Sequence, residues 1–425
     1  MYVVIMAGGK GTRISSVASD IPKPMIPIGG KPVLQHQIEK FSEYGYKDFI
    51  LVTGYLREKI KEYFGDGSRF GVKIDYFEET TPLGTAGALP HIKNKLCENF
   101  FLLNGDLMMD IDPDRLLSFH KRKQAAATIT VHPNSHPYDS ALVVCDDEGK
   151  VTEWLHKEDK RLFYRNTVNA GIHVLSERIF DFFPQGEEKI DLDRDVLSKL
   201  IPKKELYAYI TPEYIADMGT PERYKRICAD FESGLIRKRN LGLKQRAVFF
   251  DRDGTLNKYK GFLTHAKDLE LVDGAVQAVK AVNSKGYLAI VVTNQPVIAR
   301  GECSIEELRN IHNKLETLLG ADGAYINAIY FCPHHPDKGF EGERMEYKIK
   351  CGCRKPQPGM LLKAADDFNI DLSASWMIGD SESDVVAGKN AGCKTAYIGK
   401  AEKLSEKADV IVDSICEFAD KLETI

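Results

Sequence analysis

A chain of 425 residues is too long for one ordinary domain, and at ~150 residues per domain it predicts two or three. The composition is globular, 43% apolar and 28% charged, enough to bury full cores. With 58 basic and 62 acidic residues the formal net charge is −4, which excludes a broad pull toward nucleic acid or an anionic membrane.

Met1 to Ala7 is apolar but lacks a basic lead-in and a cleavage site, so it reads as a buried strand over 2–6, not a signal peptide. No apolar run approaches the ~18 residues of a membrane helix, and a soluble, cytoplasmic protein is expected. Ala7-Gly8-Gly9-Lys10-Gly11-Thr12-Arg13 follows at once. Gly8, Gly9 and Gly11 expose backbone N–H groups suited to phosphate oxygens. The loop is not a P-loop, because no Gly-Lys-Ser/Thr closes it. Nor is it a dinucleotide fingerprint, because Ile14 stands at the third glycine position. Arg13 and the lysine of Pro22-Lys23-Pro24 are two cations able to converge on a polyphosphate.

A helix over 31–45 with Leu34, Ile38 and Phe41 inward, a strand over 48–53, a helix over 56–64 and a strand over 72–77 continue the pattern. A second small-residue loop, Pro82 to Leu89 with Gly84, Thr85 and Gly87, permits close backbone approach. Its partner is either a flat nucleobase or a tightly packed helix. A strand over 100–103 ends in Asn104-Gly105-Asp106, a carboxylate at a strand tip. Asp217, far along the chain, can share a metal with Asp106 only if the fold brings them together.

In order, Gly8-Gly9-Lys10-Gly11-Thr12-Arg13, Pro22-Lys23-Pro24, Leu83 to Gly87, Gly105-Asp106 and Asp217-Met218-Gly219-Thr220 resemble the sugar-1-phosphate nucleotidyltransferases over roughly 1–232. The resemblance implies a Rossmann-like mixed sheet and transfer of a nucleoside monophosphate from a triphosphate to a sugar phosphate. It implies that Arg13 and Lys23 neutralise the triphosphate and that Asp106 and Asp217 hold Mg²⁺. Gly8, Gly9, Gly11 and Thr12, with Gly84, Thr85 and Gly87, bind the nucleotide on this reading. Glu153, Asn169 and Gly171 line the sugar pocket, with Lys157 as a further candidate. Such chemistry needs charge neutralised and two anions held in line more than it needs covalent help. Ile14 replaces the family's usual leucine, and Val151 to Lys157 follows its sugar-contacting pattern only loosely.

Thr220-Pro221-Glu222 predicts a helix start, with Thr220 as N-cap and proline at the first helical position. Periodicity fades and charge rises over 233–245, the expected linker between domains at 1–232 and 246–425; the tight basic run Arg237-Lys238-Arg239 reads as part of it. The alternative is a segment docked through Leu235, Ile236, Leu241 and Leu243. Ala247-Val248-Phe249-Phe250 then runs straight into Asp251, which places a carboxylate at the C-terminal edge of a parallel sheet. Asp253 follows, and Gly254 lets the chain turn away. Two acids at one strand tip repel unless a divalent cation such as Mg²⁺ joins them, and one of them can serve as a nucleophile. A calcium loop needs glycine at position six and glutamate at twelve; here glycine stands at four.

A helix over 275–285 and a strand over 288–292 lead to Thr293-Asn294-Gln295, a hydroxyl and amides for a phosphoryl group. A helix over 304–319 and a strand over 324–331 precede Cys332-Pro333-His334-His335 and Cys351-Gly352-Cys353-Arg354-Lys355. Nine cysteines, mostly scattered, argue against a disulfide framework. Cys332, His334, Cys351 and Cys353 suit a tetrahedral structural Zn²⁺, the alternative being free cysteines in a surface loop and His335 the reserve ligand. A pinned loop carries Arg354 and Lys355 to a fixed place. Asp380 tips a strand beginning at Trp376, with Asp384 just beyond; an edge strand over 410–412 and a closing helix from 414 complete the chain.

Phe250 to Thr255, Thr293-Asn294, Lys355 and Gly379-Asp380 resemble the four motifs of haloacid dehalogenase-type phosphatases over roughly 246–425. The zinc loop narrows this to the group with histidinol-phosphate and heptose-bisphosphate phosphatases, whose domain is a Rossmannoid α/β fold. The resemblance implies that Asp251 attacks phosphorus and that Asp253 protonates the leaving oxygen and then activates water. Asp251, Asp380 and the Asp253 carbonyl hold Mg²⁺, with Asp384 behind them. Thr293, Asn294 and Lys355 grip the phosphoryl group, Arg354 a retained phosphate, and Arg300 the substrate. Gln295-Pro296-Val297 departs from the family's Ser-Gly after the glutamine and stiffens that loop.

The fusion selects among these substrates. Removing phosphate 7 from a heptose 1,7-bisphosphate leaves a sugar 1-phosphate, the acceptor the first half needs. The expectation is a bifunctional enzyme of nucleotide-activated heptose synthesis, with GTP and the α-anomer favoured and GDP-heptose as product. Its partners are sugar phosphates and a nucleoside triphosphate, without nucleic acid or membrane, and homo-oligomerisation is left open. One rival is a mannose-1-phosphate nucleotidyltransferase joined to a histidinol-phosphate-like phosphatase. The other is a nucleotide-sugar-sensing module regulating the phosphatase, against which Arg13, Lys23, Asp106 and Asp217 argue.

Overall fold

The computed structural model describes residues 1–9, 20–96, 98–186, 188–400 and 408–422. They form two compact units. The first comprises Met1–His132, Val143–Leu155 and Asn169–Asn240. The second comprises Leu241–Ile425 and takes in Pro133–Leu142 and His156–Val168 from earlier in the chain.

In the first unit Tyr2–Met6 is the central strand of a mixed sheet. It runs parallel to Asp48–Thr53 on one side and Asn99–Asn104 on the other, Val4 pairing with Ile50 and with Leu102. Lys73–Glu78 extends the sheet in parallel, and Val168–Ser176 joins Asn99–Asn104 antiparallel. Val3, Val4 and Ile5 are fully buried, as a strand covered on both faces must be. The helix Val33–Glu43 buries Leu34, Ile38 and Phe41 at the spacing that makes one apolar stripe. Phe41→Ala in that stripe would cost about 3–5 kcal/mol. The helix Pro221–Glu232 starts as expected: the Thr220 side chain accepts from the Arg223 N–H and proline fills the first turn.

The stretch 233–245 is more ordered than a linker, since it contains the helix Leu235–Lys238. Ile236 is buried among Ile26, Val33 and Met218 in the first unit, and Leu241 among Phe249, Leu288 and Ile290 in the second. Leu243 stays exposed. Of the four apolar side chains in this stretch, Ile236 and Leu241 are buried, Leu235 is half-buried and Leu243 is exposed.

The second unit carries six parallel strands in the order Ala328–Cys332, Leu288–Asn294, Ala247–Phe250, Trp376–Gly379, Lys394–Ile398, Val410–Val412. Val248 and Phe250 pack into one core with the helices Ala275–Ser284 and Ile305–Ala321, whereas Ala247 and Phe249 pack into another with Gly359–Phe368. This alternation is the period-two pleat of a doubly wound sheet. Chain order reverses between Ala247–Phe250 and Trp376–Gly379, and such a reversal opens a crevice beyond the carboxyl ends of the strands. Among the described residues no helix is long and apolar enough to cross a membrane.

Candidate active sites

In the first unit, Gly8 and Gly9 follow the central strand, while Gly11, Thr12 and Arg13 lie outside the described residues. Gly105 packs so closely on the Met6 carbonyl that a Cβ has no room, and this brings Asp106 off the sheet beside the first loop. Leu107–Asp110 pairs antiparallel with Tyr214–Asp217, Asp217 facing Leu107, and the Met218 N–H donates to the Asp106 carbonyl at 3.2 Å. The two distant acids therefore meet. Lys23 ion-pairs with Asp106. Arg223 Nη1 donates to both Asp217 oxygens at 2.9 Å, and the Gly219 N–H donates at 2.8 Å. Burial pushes the Asp217 carboxyl up, but Arg223 and Lys23 outweigh it and hold it below its ordinary value. Two acids and two cations balance here. Paired carboxylates of this kind are an oxygen-donor set that Mg²⁺ prefers.

Two residues in this region escaped the sequence reading. Arg223 sits six positions after Asp217, within the predicted helix, and only the ribbon geometry shows its fork. Glu79 follows the strand Lys73–Glu78 and lies between the two glycine loops. One oxygen accepts from the Leu83 N–H at 3.3 Å, and the other packs on Gly8 and leaves no space for a Cβ there. Burial raises its carboxyl pKa. The available signal was an acid placed just before Pro82-Leu83-Gly84.

Gly84 and Gly87 make their close approach to protein. The carbonyls of Ile190 and Glu188 occupy the space a Cβ would take, and Thr85 Oγ1 accepts from the Leu192 N–H at 2.7 Å. Asn169 and Gly171 come together: Asn169 Oδ1 accepts from the Gly171 N–H at 3.2 Å, and its Nδ2 reaches Asp193 at 3.3 Å. Burial and then Asp191 push Asp193 up to about 6. Glu153 lies exposed on the strand Val151–Leu155.

In the second unit, Asp251, Asp380 and Asp384 converge, with one oxygen of each within 4.8 Å of the others. Gly254, at φ 90°, leaves the Asp380 carboxylate no competitor for space. Asp384 arrives as the third residue of the helix Glu382–Ala391, capping Ser381 with Oδ2. Lys355 Nζ bonds Asp251 Oδ1 at 2.6 Å, Asp384 Oδ1 at 2.6 Å and the Val292 carbonyl at 2.8 Å. Burial drives Asp251 upward, Asp384 and Asp253 add to this, and Lys355 opposes it. Asp380 is likewise raised by burial and by Asp384. Three carboxylates against one ammonium leave an excess of two negative charges, which a divalent cation with oxygen preference fits.

Thr293 and Asn294 end the neighbouring strand. The Asn294 side chain clasps Lys355, Nδ2 donating to its carbonyl and Oδ1 accepting its N–H, both at 3.0 Å. Asp253 does not join the acid cluster by its carboxylate. Arg252, Gln295 and Asn257 hold it instead.

Cys332, His334, Cys351 and Cys353 also converge. Their Sγ–Sγ separations are 3.3–3.5 Å, and His334 Nδ1 lies 3.4 and 3.6 Å from two sulfurs. A tetrahedron with ~2.3 Å metal–sulfur bonds has edges of ~3.8 Å, so the donor set fits Zn²⁺ with slight expansion. His335 lies apart, edge-on to Phe340. Arg354 Nη1 donates to the His334 carbonyl at 3.4 Å, next to the cluster. Arg300 is stacked between Phe262 and Phe340, at 4.3 and 4.4 Å from the ring centres.

Residues 2–234 match the nucleotidyl transferase family and residues 352–418 the HAD-hydrolase-like family. The first half is 34% identical over 236 residues to a mannose-1-phosphate guanylyltransferase of Mycobacterium tuberculosis, a match over 55% of this chain. It spans 65% of that relative's length, slightly under two thirds. The second half is 38% identical over 180 residues to a D-glycero-beta-D-manno-heptose-1,7-bisphosphate 7-phosphatase of Haemophilus ducreyi, covering 41% of this chain and 96% of that protein. It is 40% identical over 156 residues to the corresponding alpha-anomer phosphatase of Burkholderia mallei, covering 37% and 80%.

Proposed function

Because the chain belongs to the nucleotidyl transferase family over residues 2–234 and continues into a HAD-type unit akin to heptose-bisphosphate phosphatases, we propose that it is a bifunctional enzyme of nucleotide-activated heptose synthesis. One observation carries this reading. Relatives of the second unit are named for removing phosphate 7 of a 1,7-bisphosphate, and the product of that reaction is the acceptor a sugar-1-phosphate nucleotidyltransferase uses.

In the second unit Asp251 attacks the phosphorus of the 7-phosphate, the bond to the sugar oxygen breaks, and Asp253 protonates that oxygen. Water then attacks the aspartyl phosphate, Asp253 takes its proton, and inorganic phosphate leaves. Lys355 and Thr293 steady the phosphoryl oxygens, Asn294 keeps Lys355 in place, and Arg354 and Arg300 meet the rest of the substrate. In the first unit an oxygen of the sugar 1-phosphate attacks the α-phosphorus of the triphosphate, and pyrophosphate departs. Lys23 leaves Asp106 to neutralise the triphosphate together with Arg13, while Asn169 and Gly171 hold the sugar. Mg²⁺ would be held by Asp106 and Asp217 in one site and by Asp251 and Asp380 with Asp384 in the other, and would supply positive charge to the transferring phosphoryl group. Cys332, His334, Cys351 and Cys353 would hold Zn²⁺, which would fix the loop that presents Arg354 and Lys355.

GTP is favoured by the guanylyltransferase relative and by Glu79. Guanine offers an N–H and an amino group side by side, two donors that a carboxylate accepts together. Phosphatase relatives of both anomers match, the beta one over 180 residues and the alpha one at 40% identity; with GTP and the α-anomer, the reading we adopt, the product is GDP-heptose.

The full-length chain is incubated with heptose 1,7-bisphosphate, Mg²⁺ and each nucleoside triphosphate in turn, and products are weighed by mass spectrometry. Asp251→Asn should stop at the bisphosphate yet convert supplied heptose 1-phosphate, whereas Asp106→Asn should accumulate heptose 1-phosphate. Loss of both activities in either variant overturns the two-site assignment. The mannose-1-phosphate relative favours a second reading, a hexose-1-phosphate guanylyltransferase with an unrelated phosphatase, which preferential turnover of mannose 1-phosphate would support.

A further inference from the structure

The phosphatase chemistry leaves one buried cation without a task. Arg252 stands between Asp251 and Asp253, and its side chain is fully buried. A guanidinium keeps its charge, so burying it is costly unless acceptors surround it. Its acceptors are specific. Nε donates to Asp253 Oδ1 at 3.2 Å, Nη2 to Asp253 Oδ2 at 2.8 Å, and Nη1 to Nε2 of His312 at 3.2 Å.

His312 lies within the helix Ile305–Ala321, 6% exposed. Burial, reinforced by Arg252, holds its pKa well below the ordinary value, so the ring is neutral and Nε2 offers a lone pair. One turn further along, the same helix is tied to the segment 164–166. Glu316 accepts the Asn166 N–H at 2.7 Å, and Thr317 Oγ1 accepts the Tyr164 N–H at 2.9 Å. These contacts lie within the second unit, which includes 156–168.

We propose that Arg252, braced by His312, is a positioning residue that sets the orientation of the Asp253 carboxylate for proton transfer to and from the reacting oxygens. The inference rests on the acid–base reading of Asp253 given above. A fork held on both sides by buried partners fixes a rotamer, and an acid out of line with the leaving oxygen loses its effect steeply.

Leaving-group dependence tests it in the full-length protein. The C7 alkoxide of heptose 1,7-bisphosphate needs a proton to depart, whereas the phenolate of p-nitrophenyl phosphate does not. Arg252→Lys keeps the charge and loses the fork; His312→Leu removes the acceptor; His312→Gln retains one. R252K and H312L should lower kcat on the bisphosphate at least ~10-fold, within the range of a general acid, with KM changed less than ~3-fold. Both should retain a near-parental burst of p-nitrophenol, and H312Q should recover most of the kcat. If H312L does not fold, R252K makes the same comparison. Equal loss on both substrates, or no loss, overturns the inference. Asp253→Asn is the reference: if it does not separate the two substrates, the acid–base reading of Asp253 has failed instead.

Discussion

Lys355→Met tests the electrostatics of the second site most directly. The lysine side chain is 2% exposed and its partners Asp251 and Asp384 are 12% and 1% exposed, so no water replaces the lost ammonium. Removing one member of such a buried set costs about 3–5 kcal/mol, because the remaining charge is uncompensated. For a unit of roughly 200 residues, at ~2–4 °C per kcal/mol, the midpoint should fall by ~6–20 °C. The loss should be greatest without metal and shrink in millimolar Mg²⁺, since a divalent ion balances the same carboxylates. The chain has two tryptophans, and Trp376 starts the strand leading to Asp380, so in a Trp154→Phe background fluorescence reports this unit alone. Turnover of the bisphosphate should fall ~10²–10³-fold, the usual effect of losing one donor to a transferring group. A K355M protein as stable as its parent in metal-free buffer would show that the ammonium does not offset the three acids.

Cys353→Ser should release bound zinc, measured by atomic absorption, and depress phosphatase activity while leaving nucleotidyl transfer intact; retention of zinc would exclude the four-ligand site. Glu79→Gln should lower kcat/KM for GTP by about 10–100-fold, the effect of losing a charged acceptor, with other triphosphates changed little. Equal loss with every base would remove Glu79 from base selection. His120 bonds Thr128 Oγ1 and Asn99 Oδ1, and burial, then Arg178 and Lys121, push it down to about 4. Below its ordinary value of 6.5 the unfolded chain therefore binds a proton that the folded chain refuses. Stability of the first unit should fall as pH drops from 6.5 toward 4, by at most ~1.4 kcal/mol per pH unit for this group. His120→Gln should flatten that slope, read by Trp154 fluorescence in a Trp376→Phe background, and an unchanged slope would assign it elsewhere.

Much of both sites was legible because their chemistry sits at strand tips. An apolar run ending in an acid announces a buried strand and its exit, and Asp106, Asp251 and Asp380 were all found this way. Cys332, His334, Cys351 and Cys353 were legible because thiols and imidazole at that spacing have few other uses. What stayed hidden depends on tertiary packing. Arg252 looked like a spacer in Asp-x-Asp, since nothing local shows that His312 waits for it. Asp384 was placed behind the metal ligands, yet its helix cap turns the other oxygen into the acid cluster itself. Gly84 and Gly87 advertised close backbone approach to a nucleobase or a helix, and the neighbour they meet is the chain at Glu188 and Ile190. The expected linker hid a helix because four residues give too short a period to recognise.

The second unit draws on three separate stretches of sequence, and its borrowed ones, Pro133–Leu142 and His156–Val168, fall inside the region that matches the nucleotidyl transferase family. Severing the gene near codon 234 would strip Glu316 and Thr317 of Asn166 and Tyr164, leaving both side chains of the helix Ile305–Ala321 without these bonds. The family boundary and the boundary of the compact unit therefore do not coincide, and a fragment meant to keep the environment of the helix Ile305–Ala321 has to carry residues 133–168 as well.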